Sequence, residues 1–345
     1  MRKSFQWIRI FELILVLLAV MTVSVTFGSA DLSFWDSLRI VVSKIPFVNQ
    51  LVGTTDISTT YEVIVWKVRL PRIVLSALAG GALAVVGAVF QGVFGNSLAD
   101  PHILGVSSGA ALGATFAILT GVSVSFFGLG TIGVSAFIGA LATVFFVYRI
   151  SGLGGDISTT NMLLTGTAIS TMLSSVISLL MTFNQTQIDK VYMWTLGSFS
   201  AATWEKVGFL SFFVVIGITI LIAFAGKLNI MMIGEDDAKC LGIDTDKLRK
   251  ILIITASLLV AATVSISGVI GFVGLIVPHC VRFMSGSDNR RLIPYSFFTG
   301  AIFLSICDTL ARTVAAPTEI PVGVITSIFG APYFIALVIA RKKKL

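Results

Sequence analysis

Six long stretches of the chain carry no charge. Residues 73–99, 101–148, 157–188, 207–226, 251–281 and 320–340 hold no Asp, Glu, Lys or Arg. A helix needs about 20 apolar residues to cross the hydrocarbon of a bilayer, so several of these stretches hold one crossing and the longest must hold two. Clusters of Gly, Ser and Asn punctuate helices. Set against them, the pattern predicts ten spans near 10–28, 70–93, 103–120, 126–148, 160–183, 205–226, 250–270, 272–284, 294–312 and 321–340. Gly121-Val122-Ser123 divides the longest stretch, and Gly268, Gly271 and Gly274 separate the seventh span from a short eighth. The fold class is therefore all-α, a polytopic membrane protein with about ten transmembrane helices.

Composition agrees with that reading. Hydrophobic residues make up 56% of the 345 and charged residues only 12%, against roughly 45–50% and 25% in soluble domains. Soluble enzymes, nucleic-acid binders and secreted disulfide scaffolds are excluded, and the net charge of +7 is a topology signal. With ten spans, sixteen of the 24 basic residues fall on the side of both termini, which the positive-inside bias assigns to the cytoplasm. The first span is expected to remain as an anchor, although Gly28-Ser29-Ala30 resembles a cleavage site. Cys240, Cys280 and Cys307 show no paired spacing and are expected to pack.

The chain holds no G-x-x-x-x-G-K-[ST] phosphate loop, so ATP hydrolysis would have to come from another chain. His102 and His279 stand 177 residues apart without an acidic cluster and read as helix-end histidines bonded to backbone. Gly105-Val106-Ser107-Ser108-Gly109 matches the G-x-S-x-G pattern of hydrolase nucleophiles, but here it opens an apolar helix. Gly105, Gly109 and Gly113 fall four residues apart, a small-residue stripe of the kind that lets membrane helices approach closely. Charge at membrane depth is nearly absent. Asp308 stands four residues before Arg312, a spacing that permits an ion pair along one helix face. An ion-driven carrier would carry more midplane charge than this.

Three segments are specific. The first is Arg69-Leu70-Pro71-Arg72, then Gln91, then Asn96-Ser97-Leu98-Ala99-Asp100-Pro101-His102-Ile103-Leu104-Gly105-Val106-Ser107-Ser108-Gly109-Ala110. The second is Gly271-Phe272-Val273-Gly274-Leu275-Ile276-Val277-Pro278-His279, with Arg282 and Gly286-Ser287-Asp288-Asn289-Arg290-Arg291-Leu292-Ile293-Pro294. The third is Ala311-Arg312-Thr313, Glu319-Ile320-Pro321-Val322-Gly323 and Gly330-Ala331-Pro332. From about residue 60 to 340 the chain resembles the iron-siderophore and cobalamin class of bacterial ABC importer permeases. Ser97, where that family often has Pro, and Cys280, where an aliphatic residue is common, are the departures.

The resemblance implies a ten-span permease paired with an identical or paralogous second permease, two cytoplasmic ATPase subunits, and a substrate-binding protein outside. The path would lie between the two permeases. ATP would be used by the partner subunits, with no cofactor or metal bound by this chain and no nucleic-acid partner. Arg69, Arg72 and Arg312 fall at the external mouth against the positive-inside trend. In the family, acids of the binding protein dock there; the alternatives are anchoring to lipid headgroups, or Arg312 occupied by Asp308.

Residues 234–242 read as a two-turn cytoplasmic helix. Glu235 and Asp236 stand at its positive end, Gly242 ends it, and Ala238 and Leu241 form an apolar contact face. In the family this is the coupling helix of the ATPase; a solvated loop is the alternative. Thr159 and Thr160, before the fifth span, resemble the family's cytoplasmic gate, and helix capping explains them equally well. A weak inverted repeat is expected from the echo of Gly92-Val93-Phe94-Gly95 and Pro101-His102 in Gly268-Val269-Ile270-Gly271 and Pro278-His279. The expected function is ferric-siderophore import across the bacterial cytoplasmic membrane. A haem or cobalamin importer, an ion-gradient-driven carrier, or a hydrolase using Ser107 are the competing readings.

Overall fold

A computed structural model describes residues 2–28, 33–43, 59–123, 125–126, 128–153 and 159–342; for 2–6, 338 and 340–342 it describes the backbone only. The described chain is helical apart from one two-stranded ribbon. The helices are α1 (Arg2–Thr26), α2 (Phe34–Ser43), α3 (Thr59–Val93, with a π-helical turn at Ile64–Arg69), α4 (Val106–Thr120), α5 (Thr131–Ser151), α6 (Thr159–Phe183) and α7 (Ile188–Thr195). They continue with α8 (Trp204–Met231), α9 (Glu235–Cys240), α10 (Thr245–Ser267), α11 (Val273–Ser285), α12 (Asn289–Thr313) and α13 (Val322–Lys342). Seven are long and apolar enough to cross a membrane: α1, α3, α5, α6, α8, α10 and α12. Three shorter apolar helices, Val106–Thr120, Val273–Ser285 and Val322–Leu337, accompany them.

Helix α3 is the axis of the molecule, with α8, α10, α11 and α12 packed around it. Its small residues allow this. A Cβ on Gly80 would strike the backbone of Gly300 in α12, and one on Gly300 the carbonyl of Gly80; Gly87 meets the backbone of Gly274 in α11 in the same way. Lipid tails are as apolar as the helices, so backbone approach of this kind is what membrane packing rests on. A second pair, α4 and α5, is joined through the ribbon Ser125↔Gly130 and Phe126↔Leu129. Gly109 abuts Gly139 and Thr143, and Gly113 abuts Ser135.

Several helix boundaries differ from the sequence expectation. The spans expected from 10 and 70 belong to helices that start at Arg2 and Thr59. Three more start earlier than their apolar runs because polar residues cap them: Thr203 accepts from the amide of Lys206, Asp244 from that of Lys247 and Asp288 from that of Arg290. The span expected from 126 starts at Thr131, since 125–130 form the ribbon with Gly128 left-handed at φ +75°. The span expected from 103 starts at Val106, after left-handed Gly105. The repeat echo does not mark equivalent places: Pro101-His102 lies in the turn before α4, whereas Pro278-His279 lies inside α11.

The two shortest apolar helices have a common cause. Each follows an irregular segment, 94–105 or 268–272, and the two segments meet in the interior. His102 Nε2 lies 2.9 Å from the carbonyl of Ile270, Pro101 packs on Gly274, and Leu104 and Ile270 are buried. Irregular backbone at membrane depth is tolerated only where protein covers it and satisfies its polar groups.

Candidate functional site

Three groups of residues carry the chemistry the sequence singled out, and the structure places them apart. The first lies where α3 leaves its π-helical turn and where α1 and α12 end. Arg72 enters from α3 just after its π-helical turn, Asp308 and Arg312 stand one turn apart on α12, and Glu319 comes from the segment before α13. Arg72 grips Asp308 through Nε at 3.0 and 3.1 Å and through Nη2 at 2.9 Å. Its remaining Nη1 reaches Glu319 at 2.8 and 2.9 Å. Arg312 donates to the carbonyl of Ser24 at 2.7 Å and stands 3.8 Å from Asp308. Arg69 donates to the carbonyls of Val25 and Thr26 at 2.7 and 3.0 Å.

The three arginines are therefore not open forks at a surface. They are only 4–6% exposed, because each guanidinium is engaged by a carboxylate or by the last carbonyls of α1. A buried charge without its partner is costly; Arg72 has two carboxylates, Arg312 has one at 3.8 Å, and Arg69 is held by carbonyls. The sequence left Arg312 either free or paired with Asp308; Asp308 does pair with Arg312, at 3.8 Å, and bonds Arg72 more closely. Glu319, quoted only as part of a motif, is a member of the cluster. Its side chain is 43% exposed, and it is the acid that meets solvent.

At the opposite end of α12, α9 protrudes between α8 and α10. Glu235, Asp236 and Asp237 occupy its first turn. Gly242 terminates it in the left-handed region at φ +77°, with Gly242 and Ile243 amides returning to the carbonyls of Lys239 and Ala238 at 2.9 and 3.0 Å, the paired bonds of a Schellman end. Arg249 of α10 holds this helix through an ion pair with Glu235, and also meets Asp246 at 3.4 Å. Ala238 and Leu241 do not form one contact face. Ala238 is fully buried against its own chain while Leu241 is 68% exposed. Ile233, 76% exposed, and Met232, 41% exposed, are the other exposed apolar side chains of this region.

The third group is the face of α6. Thr159 and Thr160 are its first two residues, half-buried and exposed respectively; the preceding Ile157-Ser158 lie outside the described residues. Thr167, Thr171, Ser175, Ser178 and Thr182 follow on one exposed face. Each hydroxyl donates to a carbonyl three or four residues back, at 2.9–3.0 Å. Each oxygen keeps lone pairs with which to accept further hydrogen bonds. The helix carries no Asp, Glu, Lys or Arg.

The G-x-S-x-G string is a clasp. Ser107 is hydrogen-bonded to His102 Nδ1, and His102 Nε2 faces the Ile270 carbonyl. The carbonyl fixes the tautomer: Nε2–H donates to it and Nδ1 accepts from Ser107. In a catalytic triad an acid orients the second nitrogen; here a backbone carbonyl occupies that place, and Asp100 Oδ1 instead accepts from the backbone amide of His102 at 2.8 Å. His279 contacts the hydroxyl of Tyr333 at 3.2 Å, tying α11 to α13. The sequence also missed a pairing: Arg282 donates to Gln91 Oε1 at 2.7 Å, and Gln91 Nε2 donates to Gly274. Among the described residues no group of three or more His, Cys, Asp and Glu could hold a metal ion.

The FecCD transport family model matches residues 15–340. The chain is 46% identical over 283 residues to the cobalamin import system permease protein BtuC of Halobacterium salinarum, covering 82% of this chain and 75% of that one. It is 35% identical over 328 residues to the iron(3+)-hydroxamate import system permease protein FhuG of Bacillus subtilis, covering 92% and 96%. A solved structure described as an inward-facing conformation of a metal-chelate type ABC transporter superposes with a TM-score of 0.82 at 31% identity, over 96% of this chain and 98% of that one.

Proposed function

The chain belongs to the FecCD transport family, and on that footing we propose that it carries a ferric siderophore across the bacterial cytoplasmic membrane as one subunit of an ATP-driven importer. Its coarser character is that of a multi-pass ABC importer permease, a transport component from a family of subunits without an ATPase site. The observation that carries the finer reading is the exposed face of α6. An apolar, charge-free helix with hydroxyls on its exposed face suits a wide path for a bulky chelate. It offers many weak polar contacts and no fixed charge to hold the cargo.

In this reading ten crossings span the membrane with both termini in the cytoplasm, the three shorter apolar helices completing the seven long ones. A second permease, identical or paralogous, brings its own α6 face opposite, and the two enclose the path. Thr159 and Thr160 stand at its cytoplasmic gate. Two ATPase subunits receive α9, with Leu241 and Ile233 as apolar contacts; the Glu235–Arg249 pair relays their movement to α10. The cluster of Arg69, Arg72, Arg312, Asp308 and Glu319 faces outside, where a substrate-binding protein docks. Its five charges sum to +1. An acid of the binding protein would compete with half-exposed Glu319 for Arg72, so docking trades one ion pair for another and adds orientation more than affinity.

Cobalamin is the second reading for the cargo, favoured by the 46% identity to a cobalamin permease. The test is reconstitution into proteoliposomes with the partner ATPase and binding protein. ATP-dependent uptake of a ferric siderophore is expected, and loss of uptake when the ATPase is omitted. Uptake of cobalamin alone would replace the cargo and leave the rest standing. Uptake that follows an ion gradient without the ATPase would overturn the reading.

A further inference from the structure

A groove of about 430 Å³ runs between α5 and α10 on the α9 side of the molecule. Its walls are Leu141, Val144 and Phe145 of α5 and Ile253, Ile254 and Leu258 of α10, and its mouth carries Arg149, Lys250 and Tyr148. From Leu141 to Arg149 it extends roughly 12 Å at 1.5 Å per residue. That is close to half of a hydrocarbon core about 30 Å thick. Phe145 and Ile254 on its rim are 59% and 44% exposed, so it opens sideways, toward lipid in a membrane-spanning chain.

The charge at the mouth is one-sided. Arg149 and Lys250 have no carboxylate partner among the described residues, and Arg149 lies over the Phe145 ring at 5.8 Å. The neighbouring acid, Asp246, is engaged by Arg249. Basic pockets between membrane helices on the cytoplasmic side select anionic headgroups, and an aromatic hydroxyl such as Tyr148 suits the interface level.

We propose that this groove binds one anionic phospholipid of the inner leaflet, its phosphate between Arg149 and Lys250 and one acyl chain along Val144, Ile253 and Ile254. The headgroup then sits one residue from Arg249, the anchor of α9. This inference rests on the chain spanning a membrane with the α9 end inside, and not on its cargo.

The test is native mass spectrometry of the full chain, extracted with its partners in mild detergent and exchanged into bilayer discs containing phosphatidylglycerol and phosphatidylethanolamine. One phosphatidylglycerol per chain should persist, enriched over its share of the discs. Each basic side chain near an anionic surface strengthens such binding roughly fivefold, so R149Q/K250Q should weaken retention on the order of 25-fold. Ile254→Trp fills the groove from an exposed position without changing charge and should expel the lipid while both cations remain. Equal retention of the two lipids, unchanged retention in R149Q/K250Q, or displacement by millimolar inorganic phosphate would each overturn the proposal.

Discussion

Helices α3 and α6 look alike as strings: each holds a long apolar run free of charge, 73–93 and 159–183. Of the most apolar 18 residues, 89% are buried in α3 and 6% in α6. The difference lies in side-chain size and in where the polar atoms point. Helix α3 places Gly80, Gly81, Ala84 and Gly87 where backbones of α11 and α12 come closest. Helix α6 presents Leu164, Met172 and Leu179, each more than half exposed, interleaved with hydroxyls bonded to their own backbone. Hydropathy identifies two spans. Size and hydroxyl placement separate the one that builds the core from the one left facing outward.

The sharpest way to break that contrast is to enlarge a core glycine. Gly87→Leu sets a side chain against the Gly274 backbone, which cannot rotate away. Overpacking costs typically 1–3 kcal/mol where side chains can shift, so more is expected here, read as loss of monodisperse protein on size-exclusion chromatography. Ala168→Leu on the exposed face of α6 should leave the yield unchanged. Next in size is Asp308→Ala, which leaves Arg72 with half-exposed Glu319 alone and takes from Arg312 the acid 3.8 Å away. Removing one partner of a buried pair costs about 3–5 kcal/mol, visible as a lowered thermal midpoint. Glu319→Gln loses a half-exposed pair, about 0–1 kcal/mol, and should change docking more than stability.

Smaller still is Ser107→Ala, which removes one hydrogen bond of the clasp at a cost of about 1 kcal/mol while transport continues. Abolished transport with an intact fold would revive the hydrolase reading. Leu241→Asp should leave stability within about 0.5 kcal/mol, as exposed sites do, yet uncouple ATP hydrolysis from uptake. Ala238→Asp should instead destabilise the chain, because that methyl faces inward.

Much of the architecture was legible in the sequence because charge marks where water begins. Seven of the expected stretches hold a described helix long and apolar enough to cross a membrane, and the other three hold shorter apolar helices. What shifted were ends set by local bonding, such as the caps at Thr203, Asp244 and Asp288 or the ribbon at 125–130. The arginines were legible as a group, but their burial was not. A one-dimensional string shows Arg69, Arg72 and Arg312 near helix ends and cannot show that α1 and Glu319 fold over them. Ala238 was misassigned for a similar reason. A two-turn helix has an apolar side, and only the tertiary packing tells whether that side faces a partner or its own chain.

The central claim is that the α6 face lines a hydrated path. It is tested most directly by single cysteines at Thr167, Thr171, Ser175, Ser178 and Thr182, introduced with Cys240, Cys280 and Cys307 replaced. The assembled importer in proteoliposomes would then be exposed to a polar, membrane-impermeant maleimide and, separately, to a lipid-soluble one. The account predicts labelling by the polar reagent along the face, with loss of ATP-driven uptake on modification of the middle positions. Labelling by the lipid-soluble reagent alone, with uptake unaffected, would mean that α6 faces lipid and that the path lies elsewhere.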